Sequence, residues 1–208
     1  MKINAVISSK KLKLSPLRIS DKSAMVSFAV IAAGIIFGAV LYLFQASLFR
    51  SELWNYFIRF SVDFSNKNKS EILSGLIISN LPYVVLMIIF GACALGVPAI
   101  FILSFFKSAG LGALICYIYN SYALEGIEYC LLVLFPAKVI LLFAMLLLTQ
   151  SCYTLSKDIY LTVKTNSSSE IYIEKYIVRS FLICCIFFIS SLTEFFSIIS
   201  FSSLFSFS

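Results

Sequence analysis

Histidine is absent from this 208-residue chain, and only 12% of its residues are charged, about half the share of an average soluble domain. Without an imidazole there is no Ser/His/Asp or Cys/His relay, no His-ligated zinc and no imidazole proton shuttle. A Gly-x-x-x-x-Gly-Lys-Ser/Thr phosphate loop is also missing, so nucleotide energy would have to come from a separate subunit. The six cysteines, Cys93, Cys116, Cys130, Cys152, Cys184 and Cys185, show no Cys-x-x-Cys spacing. All fall in or at the ends of apolar runs, where they read as small polarizable packing residues. Nothing in the chain calls for a metal or other cofactor. No charge-rich or Pro/Gly-rich block is long enough to form a soluble domain, so residues 24–208 count as one transmembrane domain behind a short polar arm.

What the chain has instead is apolar length. Hydrophobic residues make up 61% of it, aromatics 16%, and the mean hydropathy is +0.99. This composition places the chain in a lipid bilayer. The net charge of +6 is spread over the segments that flank apolar runs rather than gathered on one face, which fits positive-inside orientation and excludes a nucleic-acid partner.

The organising stretch is Asn80 to Asn120, two apolar arms joined at Ala94-Leu95-Gly96-Val97-Pro98. Each arm has room for one crossing, since about 20 residues at 1.5 Å rise cover a hydrocarbon core of roughly 30 Å. The joint reads as a tight turn between antiparallel helices. Gly96 is expected to take the positive φ that ends a helix, and Pro98 to open the next one, where its missing N–H costs nothing. The fold class expected is all-α and polytopic. Its five transmembrane helices span about 24–44, 72–95, 98–119, 127–152 and 176–200, with a tight hairpin between the second and third.

Residues 1–23 form a basic arm with Lys2, Lys10, Lys11, Lys13, Arg18 and Lys22 against Asp21. The unbroken apolar run that follows is longer than the core of a signal peptide, so the first helix is expected to stay as an anchor. That helix carries Gly34 and Gly38 four apart, a face on which another backbone can approach closely, and internal packing is a better fit for it than dimerisation. Arg50 to Glu71 mixes charges with Leu53, Trp54, Phe57, Ile58 and Phe60, a composition for a short helix lying on the outer interface. On the third helix Ser104, Ser108 and Gly112 form a stripe of small residues beside Ala109 and Ala113. A short loop is expected at Ala123-Leu124-Glu125-Gly126, and Pro136 should kink the fourth helix near its middle. A polar link then runs from Tyr153 to Lys175. With the amino terminus inside, nine Lys/Arg of the arm and this link are cytoplasmic, against four outside, Arg50, Arg59, Lys67 and Lys69.

Three charges fall inside apolar runs. Lys107 and Lys138 are expected near the bilayer midplane, where a charge costs about 3 kcal/mol or more and must face protein or water. Two readings stand: an anion-attracting or gating site, or lysines satisfied by groups such as Ser104, Asn80 or Asn120. Glu194 lies about 27 Å along the fifth helix if that helix starts at Tyr176, too shallow to meet either lysine easily. A later start, at Phe181, brings it within reach of a lysine side chain. A pair with Lys138 or Lys107 is the expectation to test.

In order and spacing the chain resembles the stage II sporulation protein M family. The likeness rests on Gly34-Ile35-Ile36-Phe37-Gly38-Ala39, the block Leu95 to Gly112 (LGVPAIFILSFFKSAGLG, with Gly96, Pro98, Lys107 and Gly110), Leu134-Phe135-Pro136 and Ser190-Ser191-Leu192-Thr193-Glu194. The resemblance implies a non-catalytic subunit of the bacterial cytoplasmic membrane that acts in forespore engulfment. Its expected partners are stage II sporulation proteins D and P, which cut peptidoglycan. The competing reading of the residues is a small permease subunit that uses Lys107 and Lys138 beside the kinked fourth helix.

Overall fold

The computed structural model describes residues 21–44, 69–94, 96–165 and 173–201, and all regular structure among them is helical. The order is α1 (Asp21–Phe44), α2 (Lys69–Gly91), α3 (Val97–Tyr129), a π-helical turn (Cys130–Leu134), α4 (Phe135–Thr165) and α5 (Ile173–Phe201). Five stretches are long and apolar enough to cross a membrane: Ser23–Phe44, Lys69–Gly91, Val97–Asn120, Tyr122–Lys164 and Tyr176–Phe201. Residues 1–20 of the basic arm, residues 50–68 of the interfacial segment expected from Arg50 to Glu71, and the last seven residues lie outside the described part of the chain.

The joint between α2 and α3 is as short as expected. Gly96 N–H donates to the Cys93 carbonyl at 3.1 Å, and Ile100 N–H to the Gly96 carbonyl at 2.9 Å, while Pro98 sits in the first turn of α3. The reason for the glycine differs from the one expected. Gly96 has φ −72° and ψ −17°, a right-handed conformation open to any residue. A side chain is forbidden there because a Cβ would run into the Phe90 carbonyl at the end of α2. The joint is also tied to α4, where Ser156 Oγ donates to the Cys93 carbonyl at 2.7 Å.

Two expected breaks are built otherwise. In place of a loop at Ala123 to Gly126, the helix turns sharply at one residue, Ala123 (φ 47°, ψ −117°), and resumes. Gly126 then packs so close that a Cβ would stand 2.5 Å from the Ile118 carbonyl. Pro136 lies inside the helical span Tyr122–Lys164, and the irregularity there takes the form of a π-helical turn. It stands at the second position of α4, after a π-helical turn in which Phe135 N–H reaches back five residues to the Cys130 carbonyl. The wider turn accommodates the proline ring and the N–H it lacks. Helix α4 runs for 31 residues, Phe135–Thr165, so residues 153–165 of the expected polar link Tyr153 to Lys175 are helix.

Helix α1 lies along α3, and α4 pairs mainly with α5, with α2 against all three of α3, α4 and α5. The α1 contact follows from its glycines. A Cβ at Gly34 would strike Ser108 Oγ and lie 2.6 Å from the Phe105 carbonyl, and one at Gly38 would strike the Ala109 carbonyl. In return, a Cβ at Gly112 would strike the Ile35 carbonyl. Lipid tails are as apolar as leucine, so this backbone-to-backbone approach, rather than burial of oily side chains, holds α1 in place. The remaining helices enclose two apolar cores. One includes Tyr83, Met87, Ile100, Met145, Leu148, Cys152, Tyr176 and Ile183, and the other Ile72, Leu76, Ile118, Tyr129, Val133 and Ile198. The start of α2, the far end of α3 and the end of α5 meet in the second core, so α2 and the part of α3 before Ala123 run antiparallel. Large apolar side chains such as Phe28, Leu43, Phe106, Leu131 and Phe181 cover the outside.

Candidate intramembrane polar site

Polar side chains inside the bundle lie in a few layers, each joining helices that are distant in sequence. At the level of the α2 midpoint, Asn80 is buried and its Nδ2 donates to Ser191 Oγ on α5 and to the Leu76 carbonyl, both at 3.3 Å. The next residue of α5, Ser190, donates to the Ala137 carbonyl on α4 at 2.8 Å. One turn away, Ser104 of α3 shares a hydrogen bond with Tyr83 of α2 at 3.3 Å and with Thr149 of α4 at 2.8 Å. Ser104 and Thr149 also bond back to their own helices, through Ile100 and Met145. Toward the hairpin, Tyr176 of α5 donates to the Ile88 carbonyl at 3.2 Å and sits 3.5 Å from Cys152 Sγ.

The charged group is Lys107, Lys138 and Glu194. Lys138 Nζ donates to both carboxylate oxygens of Glu194, at 2.7 and 2.9 Å. The side chains are 18% and 5% exposed. The expected pair is therefore present, and its lysine is Lys138. The concern that Glu194 is too shallow is corrected: Ser190 and Ser191, one turn before it, meet Ala137 and Asn80 near the middle of α2, so Lys138, next to Ala137, stands at that level and within reach of Glu194. No later start of α5 is needed, since that helix begins at Ile173. The π-helical turn and Pro136 directly before Lys138 set the rotation of this part of α4.

Lys107 is placed differently. It is half-buried, and its Nζ donates to the Ser79 carbonyl on α2 at 3.0 Å. None of the expected partners is used: Ser104 and Asn80 are engaged elsewhere, and Asn120 is exposed at the far end of α3. The signal missed in the sequence is Pro82, which lies inside α2. A proline removes one helix hydrogen bond and its ring crowds the carbonyls one turn before it. The carbonyl that loses its helix donor is that of Ile78, four residues before the proline, and the next carbonyl, that of Ser79, receives the Lys107 ammonium. Lys138 and Glu194 are both within electrostatic reach of Lys107.

Of the other candidates, Gly34, Gly38 and Gly96 are close-approach positions, while a Cβ at Gly110 meets nothing within 4 Å. A half-open cleft of about 120 Å³ lies between α2 and α5, floored by Asn80 and Ser191 and walled by Phe187 and Phe188. Among the described residues no three of His, Cys, Asp or Glu gather as a metal set. The arrangement is chemically suited to tying helices together: its hydroxyls and amide bridge helices, and its carboxylate is held by a cation. The model of the Stage II sporulation protein M family matches residues 27–197. No curated protein and no solved structure matches the chain.

Proposed function

Because the chain belongs to the Stage II sporulation protein M family and its apolar helices make it a multi-pass membrane protein, we propose that it is a non-catalytic membrane subunit. In this reading it assembles with peptidoglycan-remodelling enzymes, stage II sporulation proteins D and P being the candidates, during forespore engulfment. The observation that carries the reading is the use made of the polar groups. Asn80, Tyr83, Ser104, Lys138, Thr149, Ser190 and Glu194 each bridge two helices. Such a body is suited to holding other membrane helices and presenting outer segments. The excess of Lys/Arg in residues 1–23 and 153–175 supports a cytoplasmic amino terminus and Gly96 hairpin.

The test is purification of the tagged full-length chain in mild detergent from sporulating cells, with its companions identified by mass spectrometry. Recovery of peptidoglycan hydrolases supports the proposal. Recovery of an ATPase with no wall enzyme overturns it in favour of a permease subunit.

A further inference from the structure

Lys107 has a surplus charge and a position that together define an occupant. Both oxygens of Glu194 are held by Lys138, so two cations share one carboxylate and the group carries one positive charge in excess. An ammonium has three N–H donors, and the partner of Lys107 among the described residues is one neutral carbonyl, that of Ser79. The residue lies about 15 Å from the start of α3 and about 20 Å from Asn120, and Ser79 is likewise near the middle of α2. Around them the surface is exposed and apolar, with Ile78 and Leu81 on α2 and Phe106 on α3, and Ser79 itself is exposed. A polar spot with a spare cation thus opens on the lipid-facing side of the α2 and α3 pair at mid-membrane depth.

We propose that Lys107 is the docking point for an Asp or Glu carried at mid-span by a transmembrane helix of a partner subunit. This deepens, and rests on, the assembly role proposed above. A charge in hydrocarbon is stable only when paired or wetted, and a carboxylate supplies the missing charge and accepts the free N–H donors. The apolar rim of Ile78, Leu81 and Phe106 would pack against the partner helix on either side of its acidic residue. A lipid phosphate does not fit: it sits at the interface, about 15 Å from the centre of a 30 Å core, beyond the reach of a lysine side chain.

The test uses the full chain, fluorescently labelled and reconstituted in phosphatidylcholine vesicles, with a synthetic leucine-rich transmembrane peptide as probe. The peptide carries one central Glu, or Gln in its place, or the Glu moved to the end of the span, and association is read by energy transfer. The expected result is association of the central-Glu peptide about tenfold stronger than either control. Lys107→Gln removes the preference and Lys107→Arg keeps it, so misfolding and loss of charge are separated. Equal binding of the Glu and Gln peptides overturns the proposal, as does a preference that survives Lys107→Gln. Abolition of the preference by acetate or chloride inside the vesicles overturns it in favour of a small-anion site. Because the assay contains no wall enzyme, its failure beside intact recovery of hydrolases from cells removes the docking point and leaves the assembly role standing.

Discussion

Neutralising Glu194 should be among the most damaging single changes in this chain, and replacing both members of its ion pair should be mild. The two contacts of 2.7 and 2.9 Å to Lys138 correspond to a gross attraction of at least about 4 kcal/mol at an effective dielectric of about 20. Most of it offsets the cost of taking both charges out of water. Removing one partner leaves that cost without its compensation, so Glu194→Gln or Lys138→Met should each destabilise by about 3 kcal/mol. The two are not equivalent. Glu194→Gln leaves Lys107 and Lys138 facing each other, whereas Lys138→Met leaves Glu194 able to turn toward Lys107, so the first should be the worse. In the double variant Lys138→Met with Glu194→Gln the buried charges disappear together, and stability should return to within about 1 kcal/mol of the parent. The coupling is then about 5 kcal/mol, readable by reversible unfolding in bicelles and, more coarsely, by thermal aggregation in detergent. Additivity of the two single effects to within about 0.5 kcal/mol would refute the reasoning.

Other outcomes follow from the backbone contacts. Gly38→Val should separate α1 from α3 at a cost of about 3 kcal/mol, since the obstacle is the Ala109 carbonyl and cannot rotate away. Gly110→Ala, with open space around it, should stabilise α3 by about 0.5–1 kcal/mol, and unfolding of the two variants side by side checks both. Ala123→Gly should stabilise by about 1 kcal/mol, because Ala123 holds a φ of 47° that costs an L side chain strain; a loss of stability would mean that the corner is relaxed. Cys93 is exposed beside the hairpin, so a variant keeping it as the single cysteine should react with an impermeant maleimide only after the cytoplasmic face is opened. Labelling of intact cells would reverse the proposed orientation.

The number of helices, their approximate places and the tight joint at Gly96 were legible in the sequence, because a bilayer imposes a minimum apolar length that no neighbour can override. The close face of α1 was legible for a similar reason: Gly34 and Gly38, spaced four apart, suit only near contact with another backbone. Helix ends were not. Residues 153–165 are polar enough to read as a link, yet α4 continues through them, since a helix leaving the membrane needs only water or a neighbour beyond the core. Nor was the choice of lysine for Glu194 legible: it follows from the packing of α4 against α5.

The amino-acid sequence alone therefore determined that three charges lie in apolar helices and that one carboxylate could serve only one of two lysines at full strength. Pairing Lys138 with Glu194, and leaving Lys107 on the Ser79 carbonyl, was a decision of the tertiary structure. It depends on the rotation and axial offset of packed helices, which the π-helical turn before Pro136 shifts and contacts between residues far apart in the chain set.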